Sequence, residues 1–144
     1  MKPLLSVFTL IVALSAIVVL RADTDAEVRA RKDALELAGA FANDGFNIRD
    51  GHWCSVLKPH EHAMIAVNLY AGNQYWFSVG TVEPVKKAAI TIFDETGKQV
   101  TTESYSNEEK AAAGFAPGNS GQYFVAIDLV EGQEGSFCLV YSYK

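Results

Sequence analysis

The chain has 144 residues and a formal net charge of -5. Hydrophobic residues make up 49% and charged residues 20%, a composition that supports one hydrophobic core and argues against disorder. The acidic balance excludes a broad basic footprint for nucleic acid, and 2 cysteines are too few for a disulfide-dense miniprotein or a four-thiolate zinc site.

Lys2 precedes an apolar run over residues 4–20, LLSVFTLIVALSAIVVL, which Arg21 ends. A basic start followed by such a run reads as a secretory signal over residues 1–22. Small-x-small triplets at Ala13-Leu14-Ser15 and Thr24-Asp25-Ala26 offer two cleavage positions. The run is short for a bilayer span, so an uncleaved anchor is the alternative and the only route to a membrane. No cysteine follows it closely, which removes a lipoprotein anchor. The expected location is periplasmic or secreted.

Residues 23–45 read as a helix. Thr24-x-x-Glu27 is a capping-box pattern, and residues 26–43 are rich in Ala, Leu, Glu and Lys/Arg. Ala34, Leu37, Ala38 and Phe41 form one apolar face at i, i+3, i+4, i+7. Glu27 and Arg31, Arg29 and Asp33, and Lys32 and Glu36 are opposite charges four apart. Gly45 is placed to end the helix.

The period then changes to two, and residues 46–144 read as strands. Asp50-Gly51, between residues 46–49 and 52–57, is a hairpin signal. Residues 63–69, 75–79, 86–94 and 98–103 follow as strands, and 104–110 as polar loop. Residues 111–115, 123–129 and 137–143 complete the set, with Pro117-Gly118-Asn119-Ser120-Gly121 as punctuation. On the order of seven to nine short strands with regular turns give an all-β, antiparallel β-sandwich with one N-terminal α-helix. Tyr75, Phe77 and Val79 share a core face, as do Phe137, Leu139 and Tyr141, and Trp76 falls on the opposite side.

Four segments in order carry a family resemblance: Val67-Asn-Leu69-Tyr-Ala71-Gly72-Asn-Gln-Tyr75-Trp-Phe77, Ile90-Thr-Ile92-Phe-Asp94-Glu-Thr-Gly97-Lys, Ser120-Gly121-Gln-Tyr123-Phe-Val125 and Gly135-Ser-Phe137-Cys-Leu139-Val. From Trp53 to Tyr143 the chain resembles the bacterial pre-peptidase C-terminal domain. That resemblance implies a jelly-roll-like sandwich and an exported, non-catalytic accessory module, usually attached to secreted hydrolases, that assists secretion, targeting or polymer binding. The chain departs from the pattern at Lys86-Lys87-Ala88-Ala89, where the family often carries an acidic D-x-D run. The oxygen ligands for a calcium ion are missing there.

The residues that can carry chemistry are few. Cys54 and Cys138 form an even pair in an exported chain, which favours a disulfide. The competing reading is a thiol enzyme using Cys54 and His52. His60 and His62, with His52, are weak candidates for a metal site, since two imidazoles beside Pro59 lack an obvious third and fourth ligand. Neighbouring carboxylates, Asp23, Asp25 and Glu27 at the helix start and Glu108-Glu109 in a polar stretch, are explained by the helix dipole and by solvation. No phosphate loop, G-x-S-x-G or H-E-x-x-H occurs. Trp76, Tyr70 and Tyr105 are the candidates for stacking on a sugar ring. The reading is an exported, non-catalytic sandwich domain that needs no cofactor. Its partner would be a polysaccharide, as for a carbohydrate- or polymer-binding module, or an exported protein. A small metal- or thiol-dependent enzyme is the remaining alternative.

Overall fold

The computed structural model describes residues 23–107 and 109–144. The leader read over residues 1–22, and Glu108, lie outside them. The helix α1 spans Asp25–Ala42, and both halves of its capping box form: the Glu27 N–H donates to Thr24 Oγ1, and the Thr24 N–H donates to the Glu27 carboxylate. Two of the expected charge pairs are replaced by longer-range partners. Arg31 pairs with Asp23, and Glu36 meets Lys110 Nζ at 3.4 Å.

Nine strands follow among the described residues: β1 (Asn47–Ile48), β2 (Trp53–Leu57), β3 (His62–Leu69), β4 (Tyr75–Thr81), β5 (Val85–Phe93), β6 (Glu103–Asn107), β7 (Lys110–Phe115), β8 (Gly121–Gly132) and β9 (Gly135–Tyr143). They form an antiparallel sandwich. The larger sheet runs β1-β9-β4-β7-β6, with β2 also paired to β9, and the smaller sheet runs β3-β8-β5. The core between the sheets holds Leu69, Tyr75, Phe77, Val79, Ile92, Val125, Ile127, Phe137, Leu139 and Tyr141. Period-two alternation thus sorts β4 and β9 as the sequence indicates.

Two local expectations fail for stated reasons. Asp50-Gly51 does not close a hairpin. The segments on either side both pair antiparallel with β9, Ile48 opposite Ser142 and Trp53 opposite Leu139. The chain therefore keeps its direction, and residues 49–52 bulge out of one interrupted edge strand, with the Arg49 N–H still donating to the Tyr141 carbonyl at 2.9 Å. Residues 104–107, read as loop, belong to β6, while of residues 98–103, read as a strand, Glu103 opens β6 and residues 98–102 hold only a bridge from Gln99 to Phe93. β6 is an edge strand with all five residues exposed, so it carries no apolar signature to read.

The helix lies on the outer face of the larger sheet, against β4 and β9. Ala30, Ala34 and Ala38, four apart, are fully buried there. The floor beneath them is small. Ser78 lies opposite Ala112 on one side and Val140 on the other, and Gly80 lies opposite Cys138. A Cβ at Gly80 would collide with the Ala30 carbonyl oxygen and lie 2.6 Å from the Ala34 nitrogen, so only glycine admits the helix backbone so close. Nearer the helix C-terminus, Phe41 stacks on Trp76, with ring centroids 4.3 Å apart and planes 8° from parallel. Gly114 leaves room for the other side of the indole, where a Cβ would come within 2.9 Å of it.

Candidate functional site

Cys54 and Cys138 are directly opposite across β2 and β9 and are joined in a disulfide, with Cα atoms 4.1 Å apart. The bond ties the interrupted edge strand to the sheet. It sits under the start of the helix with Ala30 and Val82, and Cys138 Sγ packs 3.2 Å from the Glu27 carbonyl oxygen. A disulfide sulfur is not a thiolate, so the pairing removes the nucleophile that the thiol-enzyme reading requires.

The histidines separate. His60 occupies a turn with φ 64°, and His62 stands on the outer face of the smaller sheet, bonded through Nδ1 to Asp128 directly opposite it. His52 lies in the bulge at the β2 edge, where its Nε2 meets Arg31 Nη1 at 3.1 Å. Among the described residues no three metal-ligating side chains are gathered together.

The three aromatic candidates do not form a row. Trp76 is half-buried between Phe41 and Gly114, so the helix occupies the ring face that a sugar would need. Tyr105 is 45% exposed on β6, two strands from Trp76 on the same face of the larger sheet. Tyr70 is 58% exposed just beyond β3, at the other flank of the sandwich.

Trp76 edges a recess with Gln74, Thr101 and Glu103, but Phe41 stacks on its ring; Tyr70 opens into a separate cleft with its ring exposed. The β1–β2 edge of the larger sheet and the β3 edge of the smaller leave a gap of about 450 Å³, lined by Arg49, Asp50, His52, Trp53, Asn68, Tyr70 and Tyr141. Trp53 and Tyr141 point inward from adjacent strands and stack with centroids 5.7 Å apart. The Arg49 guanidinium lies over the Tyr141 ring, 5.6 Å from its centroid. Burial holds the Tyr141 hydroxyl above its ordinary value near 10; the Arg49 charge opposes that shift, and Tyr75 and Tyr70 add to it. The Tyr70 backbone is pinned, its N–H donating to the Tyr75 hydroxyl at 2.9 Å, while the Ala71 N–H donates to Ser120 Oγ at 2.8 Å.

Sequence reasoning found Tyr70 and His52 but missed Arg49, Trp53, Asn68 and Tyr141 as partners. For Arg49 and Trp53 the local signal was Arg49-Asp50-Gly51-His52-Trp53, a dense polar and aromatic cluster that the hairpin reading absorbed, while Tyr141 was read as core only. Comparison with protein-family models and with curated proteins finds no match.

Proposed function

We propose that this protein is an exported, non-catalytic β-sandwich domain that binds a glycan polymer in the cleft between its sheet edges. The observation that carries the reading is the cleft itself: a pinned, exposed tyrosine beside a stacked Trp53–Tyr141 pair, with Arg49, Asp50, His52 and Asn68 around it. Aromatic faces take the apolar side of a pyranose, and surrounding polar side chains take its hydroxyls. The Cys54–Cys138 disulfide is compatible with an oxidising, extracellular compartment, and among the described residues no helix is long and apolar enough to cross a membrane. Export by the leader over residues 1–22, and an accessory role like that of the pre-peptidase C-terminal domains, complete the proposal.

The test is cell fractionation together with retention on insoluble polysaccharides. The protein is expected outside the cytoplasm, shortened at its N-terminus, and retained by at least one polysaccharide, with Tyr70→Ala abolishing retention at unchanged melting temperature. Cytoplasmic protein with free thiols, or retention untouched by Tyr70→Ala, overturns the reading. A second reading, docking of an exported protein, draws on the open outer face of the smaller sheet, where Met64 is 54% exposed beside Phe93 and Phe124. Pull-down from periplasmic extract that Met64→Lys abolishes and Tyr70→Ala leaves intact favours it.

A further inference from the structure

The cleft holds a cation that touches an aromatic ring and has no carboxylate partner among the described residues. Arg49 forms no ion pair among the described residues, and the neighbouring Asp50 forms none with it. Its guanidinium is placed instead by the backbone bond from its N–H to the Tyr141 carbonyl and by the Tyr141 ring beneath it. A guanidinium carries its N–H donors in a planar fork that matches the two oxygens of a carboxylate. A sugar hydroxyl, a single neutral acceptor, has no need of that fork. The other two arginines among the described residues are differently placed or spent: Arg31 is paired with Asp23 and meets His52 at the rim, and Arg29 lies on the exposed side of α1. On a chain of net charge -5, an unpaired, positioned guanidinium beside an exposed tyrosine marks a site for an anion.

Resting on the glycan reading above, we infer that the cleft selects an acidic polysaccharide, a pyranose unit bearing a carboxylate. Tyr70 stacks on the sugar ring and Arg49 pairs with the carboxylate. Asn68 and His52 stand at the same cleft as hydrogen-bonding groups for the ring hydroxyls.

Isothermal titration of the exported chain with trigalacturonate and trimannuronate, and with their neutral counterparts galactotriose and mannotriose, tests the inference. At least one acidic trimer is expected to bind about tenfold tighter than its neutral counterpart, a preference that weakens as salt is raised. Arg49→Gln should erase the preference while leaving the residual affinity of the neutral sugar. Tyr70→Ala should weaken both by a similar factor, and Tyr105→Ala neither. Neutral and acidic trimers bound equally, with Arg49→Gln silent, overturn the acidic inference and leave the glycan reading standing. No binding of any of the four overturns both. Near-ultraviolet circular dichroism of each variant separates lost binding from lost fold.

Discussion

The two outer faces of the sandwich have opposite fates. The face of the larger sheet is covered by α1 over a floor of Ser78, Gly80, Ala112, Gly114, Cys138 and Val140. The face of the smaller sheet presents Met64, Ala66, Phe93 and Phe124, and among the described residues no helix lies on it. Trp76 apart, the floor beneath the helix alanines is made of small residues, and this sets how closely the helix approaches. Ala30, Ala34 and Ala38 make a ridge with almost no side chain, and Gly80 makes the matching groove, so backbone meets backbone and dispersion contacts accumulate. The aromatic Phe41–Trp76 stack then fixes the far end of the helix.

The largest way to break the covered face is through its disulfide. Replacing both cysteines with alanine is expected to cost about 4–5 kcal/mol in the chain-entropy account, given a sequence separation of 84. Urea denaturation of the double variant measures it, and a loss below about 1 kcal/mol would mean the β2 edge holds without its tie. Next comes Gly80→Val, which places methyl groups inside the Ala30–Ala34 backbone and should cost about 3–4 kcal/mol or release the helix. Ala66→Val on the open face should stay within about 0.5 kcal/mol, so equal effects at the two sites would end the contrast. Trp76→Ala removes the stacked ring and should cost about 3 kcal/mol in thermal melts, against little change for Met64→Ala.

Those expectations mark what the sequence could and could not convey. Trp76 was legible as the odd residue out of Tyr75-Trp76-Phe77, because alternation is a local property, and the apolar stripe of α1 named the surface it meets. The cysteine pair was legible for the same kind of reason, from count and compartment. The groove at Gly80 was not: in a strand pattern glycine reads as a weakness, and only a second element lying across it shows it to be a requirement. The Asp50-Gly51 error has the opposite origin. The dipeptide does turn the backbone, with Gly51 at φ 103°, but whether flanking segments pair with each other or with β9 is settled some 90 residues away. The cleft needed the same distant information, since Arg49 and Trp53 acquire their roles from Tyr141, and Tyr70 acquires its setting from Tyr75 and Ser120.

A smaller effect of reversed sign is expected within the covered layer. Ser78 and Ser142 are fully buried, and neither hydroxyl finds a partner among the described residues. Close approach of the helix strips these groups of water without offering an acceptor, which penalises the folded state. Ser78→Ala should stabilise the protein by about 1 kcal/mol, and Ser142→Ala similarly. A loss of stability in both would show that the hydroxyls are satisfied and that the layer is wetter than its packing indicates.

The smallest expected effect sharpens the contrast from the open side. At the end of β5, Asp94 Oδ1 accepts from the Thr96 hydroxyl at 2.6 Å, the Thr96 N–H at 2.9 Å and the Lys98 N–H at 3.0 Å. This turn borders the recess formed by Met64, Phe93 and Phe124. The Thr96 side-chain bond, then the Lys98 backbone bond, hold the Asp94 carboxyl below its ordinary value of 3.8. A lowered native value means that the folded turn favours the ionised form. Its contribution to stability is therefore complete above the unfolded value and fades as pH falls through the native one. The carboxylate is exposed, so water screens the effect and keeps it small. Asp94→Asn retains an acceptor oxygen but no charge, and should lower the melting temperature slightly at about pH 7. The gap from the parent should narrow as pH is lowered from about 7 through the native value into strong acid, where the parent carboxyl becomes protonated as well. A gap that stays constant over that range would assign the turn's stability to geometry alone. The fluorescence of Trp76, under the helix on the far sheet, should not distinguish the two proteins at either end of that range below the melting transition, because nothing in the turn touches the covered face.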